Sequence, residues 1–168
     1  MEKIRDEIYA EIDRMYETAM TIHRGWMKKV ARRELDRVGD VKLNTEKTNY
    51  ELRLEFSGSS FVIRWNKISF VRNNNKPIRL VKSIAVPDNG IYKEINFKEA
   101  ESWELALIMQ AESALAPIRQ QLKHLMKAHR SIVWASKVIG SDEIEVKLMN
   151  SRVAVPDYSI KKFKNQMI

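Results

Sequence analysis

The chain has 168 residues, with 30 Lys and Arg against 22 Asp and Glu and a formal net charge of +8 at pH 7. This length suits a single domain with a hydrophobic core, and the charge favours an anionic partner. The absence of cysteine excludes disulfides, thiolate catalysis and zinc sites built on cysteine. Since we find neither a secretory signal pattern nor an apolar segment long enough for a membrane, we expect a cytoplasmic protein without a membrane partner.

The first predicted element is one long helix. An apolar series spaced by three or four residues runs from Ile4 to Val30. A core helix explains this seam, and a homodimer interface is the alternative because about thirty helical residues span about 45 Å. The segment from Thr18 to Arg33 contains five cations and no acid: Arg24, Lys28, Lys29, Arg32 and Arg33.

A polar loop at 36–48 precedes three predicted antiparallel strands with a period of two. The first strand begins at Tyr50, the second holds Phe61 to Trp65, and the third runs from Ile78 to Val86. The apolar phase slips after Trp65, which predicts a β-bulge near Asn66 and Lys67. Together the strands form a β-meander.

The predicted sheet contains two groups of polar side chains with a candidate role. Asn73 to Asn75 close the second hairpin, either as an ordinary turn or as side chains that contact bases. Arg64 and Arg79 are candidates for cross-strand neighbours. They belong to a second basic group on the polar side of the sheet or near the bulge, which comprises Arg53, Arg64, Lys67 and Arg79.

The helical period returns after Asn96. Pro117 either kinks this helical region or begins a second helix, and Gly140 ends it. The segment from Pro117 to Ile139 contains no acid, and its cations fall within an arc of about 80° on a helix: Arg119, Lys123, Lys127, Arg130 and Lys137. Trp134 projects into the same arc, where it either packs against the tail or another protomer or lies against sugars and bases.

These elements predict an α+β fold with a long N-terminal helix, a three-stranded antiparallel β-meander and a long C-terminal helical region. Residues 1–140 form the single domain. Residues 141–168 form a C-terminal extension with a short strand, Glu143 to Leu148, and a basic tail that becomes ordered with a partner.

No catalytic centre is expected. The three histidines lack a metal-ligand spacing, and neither a phosphate-binding glycine loop nor a serine nucleophile motif occurs. The one enzymatic pattern is that of a metal-dependent nuclease, with Glu145-Val146-Lys147 and Asp88 as candidates. Because more than fifty residues separate the two parts, we predict no enzyme activity, no metal and no cofactor.

The two acid-free segments predict a surface that binds double-stranded DNA. Surface helices normally mix charges and gain pairs between residues four apart, so the absence of acids indicates that something else sets their composition, and a polyanion is the natural candidate. A charge run that simply faces solvent is the alternative. The predicted contacts are those of both segments and of the sheet: Arg24, Lys28, Lys29, Arg32, Arg33, Arg64, Lys67, Arg79, Arg119, Lys123, Lys127, Arg130, Trp134 and Lys137.

Several short runs resemble the MobI family of conjugative-transfer accessory proteins. They are Ile78-Arg79-Leu80-Val81-Lys82-Ser83-Ile84, Trp103-Glu104-Leu105, Ile118-Arg119 and Leu125-Met126-Lys127, together with Trp26 and Trp65. The similarity covers about Ile22 to Ser136. It implies a bacterial, non-catalytic protein of a mobile element that recognises an origin of transfer and assists the relaxase. The alternative is a protein-binding inhibitor or regulator of such an element, which would use its basic surface to occupy an acidic groove of another protein.

Overall fold

The computed structural model describes residues 1–138, 140 and 143–168. Ile139 and Ser141, the predicted end of the second basic segment and start of the C-terminal extension, lie outside this range. The architecture is α+β, as predicted. Its elements are α1 (Glu2–Arg37), β1 (Tyr50–Ser57), β2 (Ser60–Asn73), β3 (Lys76–Ser83), a 3-10 helix (Glu94–Phe97), α2 (Ser102–Val138), α3 (Met149–Arg152) and α4 (Ile160–Met167).

One face of the sheet packs against α1 and α2. Alternate side chains of β1 and β2 supply this face, and Leu52, Ile63 and Trp65 are almost fully buried. From α1, the Trp26 ring meets the Trp65 ring edge to face at 5.3 Å. From Ile8 to Val30 most of the apolar seam of α1 is buried within the chain, with Ile12 at 0% exposure, so the core-helix interpretation is confirmed, while Ile4 at its start is 51% exposed.

The sheet is a meander in the order β1-β2-β3, and the predicted bulge is wrong. Tyr50 pairs with Lys67 and Asn66 pairs with Ser83, and both ladders run on with no extra residue. The apolar phase changes after Trp65 for another reason: from Ser69 onward β2 is exposed on both faces. Beyond the edge of the core, the alternation of apolar side chains no longer reports which face is buried.

Beyond β1, the second hairpin continues alone. β1 pairs no further along β2 than Lys67, whereas β2 and β3 stay paired to Asn73 and Lys76. The intervening turn has positive φ at Asn74 (50°) and Asn75 (64°), as a two-residue type I′ hairpin turn requires. We call the paired segments Ile68 to Asn73 and Lys76 to Val81, with this turn, the arm.

α2 is a single helix that continues through Pro117. The proline is exposed, where solvent can hydrate the carbonyl group that loses its amide partner. Gly140 follows the helix with φ of 64°, which confirms the predicted stop. Among the helices of the described residues, none combines the length and the apolarity needed to cross a bilayer.

The C-terminal extension differs from its prediction. Residues 143–148 form no strand, because they run along the start of α1, where Arg5 Nη1 donates to the Glu145 carbonyl oxygen at 2.9 Å. The predicted basic tail is ordered by the chain itself: α4 packs against α1 and buries Phe163. Intramolecular packing therefore takes the place of the partner that the sequence led us to expect.

Candidate nucleic-acid interface

The second half of α2 presents an exposed basic face. We define this α2 face as Lys123, Lys127, Arg130, Trp134 and Lys137, and all five side chains are exposed. Trp134 retains 68% of its accessible surface although it is the largest side chain of the group. The helical spacing that predicted a common arc thus places five of the predicted site residues together on one solvent-facing surface.

Few cations of the α2 face are neutralised by carboxylates. Lys123 Nζ donates to the Asp88 carbonyl oxygen at 2.8 Å, and Arg130 Nε donates to the Met126 carbonyl oxygen of its own helix at 3.3 Å. Lys137 pairs with Glu143 at 3.0 Å. Within the described ranges Lys127 takes part in no ion pair. The face therefore keeps most of its positive charge available to an external anion.

Arg119 does not belong to this face, which corrects its predicted role as a phosphate contact. Its side chain is buried, with Nη1 donating to Glu112 Oε2 at 2.8 Å and Nε donating to the Ile63 carbonyl oxygen at 2.8 Å. The Trp65 indole donates to the same carboxylate at 2.7 Å. The Glu112 carboxylate holds the Arg119 guanidinium inside the fold, because either charge would be buried without a partner if the pair separated, and an unpaired buried charge is costly.

The sequence does carry a signal for this buried pair. Glu112 lies seven residues before Arg119, two helical turns away on the same side of α2. Ile108, Leu115 and Leu122 of the same helix are buried around them. A cation and an acid that share the apolar side of a helix indicate an internal ion pair. The acid-free segment that predicted the basic arc begins only after Glu112, so it does not include the acid that pairs with Arg119.

The basic segment of α1 is partly covered by the C-terminal extension. The Arg24 guanidinium lies 5.1 Å from the Tyr158 ring centroid, and Lys28 Nζ lies 5.4 Å from that of Phe163. Lys29 Nζ donates to Gln110 Oε1 of α2 at 2.7 Å. The cations of this half of α1 therefore pack against α2 and the C-terminal extension, in addition to giving the helix its positive charge.

At the end of the same segment, Arg33 forms an ion pair with Glu46 and stacks 5.5 Å from the Trp103 ring centroid. The carboxylate beside it raises the pKa of Arg33, and the guanidinium lowers the pKa of Glu46. Arg32 is exposed and makes no ion pair within the described part of the chain. It is the α1 cation whose environment most resembles that of the α2 face.

The predicted sheet cations all have carboxylate partners. Arg64 lies 3.9 Å from Glu55, and Arg79 lies 3.2 Å from Glu51. Lys67 pairs with Glu99, which raises the pKa of the lysine. The predicted cross-strand pairing of Arg64 and Arg79 is wrong, because Arg64 lies opposite Arg53 while Arg79 lies opposite Phe70 on the arm.

Two depressions border the α2 face. One of about 350 Å³ lies between the sheet and α2, where Val62, Val86 and Met126 form apolar walls and Lys123 and Arg130 form the rim. The other, of about 460 Å³, is lined by Trp134, Val133 and Val146 among others. Basic rims around apolar walls suit a partner that combines charge with flat apolar surfaces, as the sugars and bases of DNA do.

His23 and Glu104 serve the fold. Burial lowers the pKa of His23 to about 4, while its Nε2 lies 2.9 Å from the Leu52 carbonyl oxygen and its Nδ1 lies 3.0 Å from the Tyr158 hydroxyl. Burial raises the pKa of Glu104 to about 7, although its Oε1 accepts from the amides of Asn49 and Tyr50. In the described ranges, no cluster of three or more potential metal ligands occurs.

The segment of the nuclease pattern has another structural role. Lys147 forms an ion pair with Asp6 at 3.7 Å, its backbone amide donates to the Tyr9 hydroxyl at 3.0 Å, and the Glu145 carbonyl oxygen accepts from Arg5. The tripeptide thus binds α1 and is not part of a strand, although the predicted nuclease arrangement requires adjacent strands.

Comparison with known proteins identifies one family. The family model described as MobI protein matches residues 15–133. This range begins in α1, includes the whole sheet and ends in α2 directly before Trp134. No curated protein and no solved structure matches the chain. The resemblance predicted from the sequence is confirmed, over nearly the same residues.

Proposed function

We propose a function from one premise: this chain belongs to the MobI protein family. A role in DNA mobilisation follows from that membership. Within that role, we propose that the chain is a non-catalytic accessory protein that binds double-stranded DNA at an origin of transfer and helps a relaxase to engage it. The strand-cleaving chemistry belongs to the relaxase.

The α2 face is the observation that carries this proposal. It places Lys123, Lys127 and Arg130 on one exposed surface without a carboxylate partner among the described residues, and adds the exposed Trp134. Phosphates that bind there release counterions from the duplex, so affinity depends strongly on salt. The sheet cations Arg64 and Lys67 already have carboxylate partners and contribute less.

The test measures fluorescence anisotropy of labelled duplexes, one carrying the transfer origin and one a scrambled sequence, over a series of salt concentrations. In the variant Lys127→Glu/Arg130→Glu, we expect binding to weaken on both duplexes. The slope of log affinity against log salt falls by about 2, one unit for each lost phosphate contact.

A matched control separates the α2 face from overall charge. The variant Lys42→Glu/Lys98→Glu removes the same charge from the loop after α1 and from the residue after the 3-10 helix. We expect it to keep the salt slope. Equal losses in both variants, or weak binding of the wild type without preference for the origin, would contradict the proposal and favour the protein-binding inhibitor.

Two further measurements test the absence of catalysis and the role of the relaxase. With Mg²⁺ present, supercoiled origin DNA should stay uncut by the chain alone; cleavage that disappears in Glu145→Ala would instead identify a nuclease. The relaxase of the same mobile element should retard the labelled origin duplex at a lower concentration when the chain is present. Lys127→Glu/Arg130→Glu should abolish that shift, and a shift that persists would contradict recruitment through DNA.

A further inference from the structure

The arm projects beyond the layer of helices that covers the rest of the sheet. β2 and β3 leave the core together after the pair of Lys67 with Tyr50, and every residue from Ser69 to Ser83 is exposed. A two-stranded ribbon that stands alone is at best marginally stable in water. The exposure of the arm therefore indicates that a partner covers it.

Both faces of the arm carry large apolar side chains. Because residues opposite each other in the ladder share a face, Phe70 and Val81 lie on one face, whereas Val71, Ile78 and Leu80 lie on the other. Phe70 is 67% exposed and Leu80 is 46% exposed. A partner that encloses both faces suits this distribution better than one that covers a single side.

The charge of the arm identifies the class of partner. No acid occurs from Phe56 to Pro87, and the arm with its following residue adds four cations. Arg79 has Glu51 as a partner, whereas Arg72, Lys76 and Lys82 make no ion pair in the described part of the chain. A second copy would bring like charges together, and Lys76 and Pro77 also protect the edge of β3 against strand addition. The charge therefore favours a polyanion.

The dimensions of the arm match the major groove of DNA. That groove is about 12 Å wide and about 8.5 Å deep, and it admits a two-stranded β-ribbon. Six residues of β2 beyond Lys67 extend about 20 Å at about 3.3 Å per residue. The arm is thus long enough to reach the groove floor from a protein body that rests on the phosphates.

The arm and the α2 face lie toward opposite ends of α2. The base of the arm follows the pair of Lys67 with Tyr50, whose amide donates to Glu104 Oε1 at 2.9 Å near the start of α2. After β3 the chain continues back along β2, away from the arm, to Asp88, whose carbonyl oxygen accepts from Lys123 Nζ at 2.8 Å. Because Glu104 and Lys123 are about 30 Å apart along the helix, a duplex that contacts both surfaces must extend along α2.

We propose that the arm enters the major groove of the duplex and reads its bases. This inference rests on the proposed DNA-binding function and names the element that provides its sequence preference. Near the tip, Arg72 and Asn73 carry the side chains that bind guanine and adenine edges in two-point contacts. The exposed apolar side chains lie against thymine methyl groups and the groove walls.

The experiment replaces residues 69–80 with Asn-Gly, which preserves the pair of Ile68 with Val81 and removes only exposed residues. Wild type and variant are compared on origin and scrambled duplexes, after circular dichroism and thermal melting confirm folding. We expect the preference for the origin to fall by about 10- to 100-fold, the discrimination of a two-point base contact or more. Binding to scrambled DNA should persist through the α2 face.

Point variants keep the test decisive if the shortened chain does not fold. Arg72→Ala/Asn73→Ala should lower the preference for the origin, whereas the matched control Lys42→Ala/Asn44→Ala, in the loop after α1, should not. Origin duplexes with 7-deazapurines, which lack the major-groove N7 acceptor, should weaken the wild type but not the shortened chain.

Each outcome bears on one of the two proposals. If the shortened chain keeps its origin preference while Lys127→Glu/Arg130→Glu loses DNA, the arm does not read bases although the proposed function stands. If the wild type binds no duplex, the proposed function itself fails. Loss of relaxase recruitment or of self-association in sedimentation, with origin preference intact, would mean that a protein covers the arm and would overturn the inference.

Discussion

The two halves of β2 have similar residues and opposite environments. Phe61 and Trp65 are buried at 4% and 0% exposure, whereas Phe70 is 67% exposed. The strand is regular throughout, and the ladder to β3 continues through the exposed half. The difference shows that burial depends on what covers a strand: α1 and α2 cover the first half, while among the described residues nothing comparable covers the arm.

The buried half also receives polar anchors from both helices. Arg119 of α2 donates to the Ile63 carbonyl oxygen, Glu104 of α2 accepts the Tyr50 amide, and His23 of α1 contacts the Leu52 carbonyl oxygen. Each anchor contacts the part of the sheet in which β1 and β2 are paired. The half of the sheet under the helices is therefore the part whose stability is sensitive to substitution and to pH.

The largest effect is expected at the buried ion pair. Arg119→Ala leaves Glu112 as an uncompensated buried charge and should lower the free energy of unfolding by about 3–5 kcal/mol. Urea denaturation measures it. The double variant Glu112→Leu/Arg119→Met removes both charges and should be more stable than the single variant. A single-variant loss of less than about 1 kcal/mol would instead indicate an exposed Arg119.

A matched pair of isoleucines compares the two halves of the sheet directly. Ile63 is 1% exposed in the covered part, and Ile78 is 39% exposed on the arm. Ile63→Ala should cost about 2–5 kcal/mol because it opens a cavity in the core. Ile78→Ala should stay within about 0.5 kcal/mol. Similar urea midpoints for the two variants would show that the arm packs against the body of the protein in solution.

A smaller effect is expected in the pH dependence of stability. The folded pKa of Glu104 is raised from 4.5 to about 7, so its contribution to stability falls as pH rises through that range. The folded pKa of His23 is lowered from 6.5 to about 4, so its contribution falls as pH decreases through that range. Between about pH 4.5 and 6.5 the two slopes oppose each other and the net dependence on pH is weak.

Substitution of one group should reveal the slope of the other. In Glu104→Gln, stability should rise with pH between about 4 and 6.5, by up to about 3 kcal/mol for a shift of this size. Urea midpoints measured at half-unit steps of pH test this, with Glu94→Gln as the control because Glu94 is an exposed glutamate of the 3-10 helix. Parallel profiles of wild type and Glu104→Gln would show that Glu104 is already ionised in the folded protein at pH 5.

Periodicity predicted the elements well because it reports local geometry. The spacing in α1, the alternation from Tyr50 to Trp65 and the stop at Gly140 all agree with the structure. Spacing also placed Lys123, Lys127 and Arg130 on one exposed face of α2. In these cases the pattern itself predicts which side of the element is buried, since an apolar stripe packs inward and a charged one faces solvent.

Other predictions failed where burial depends on distant contacts. The phase slip after Trp65 predicts a bulge, but in the structure it marks the edge of the helix layer over a regular strand. The predicted strand at 143–148 instead runs along α1, and the predicted partner-dependent tail folds as α4. For the segment at 143–148 and for α4, the competing interaction comes from α1, more than a hundred residues away in sequence.

The sequence by itself determined the α+β class, the element order and the basic arc of α2, because local periodicity and composition specify each of them. It also determined the family resemblance, which rests on particular residue runs. Only the tertiary structure decided which cations remain available. Arg119 has the same spacing as Lys123, yet Glu112 and the Ile63 carbonyl oxygen hold it inside. Whether a charge faces water or a buried partner depends on how the elements pack, and spacing along one helix does not contain that information.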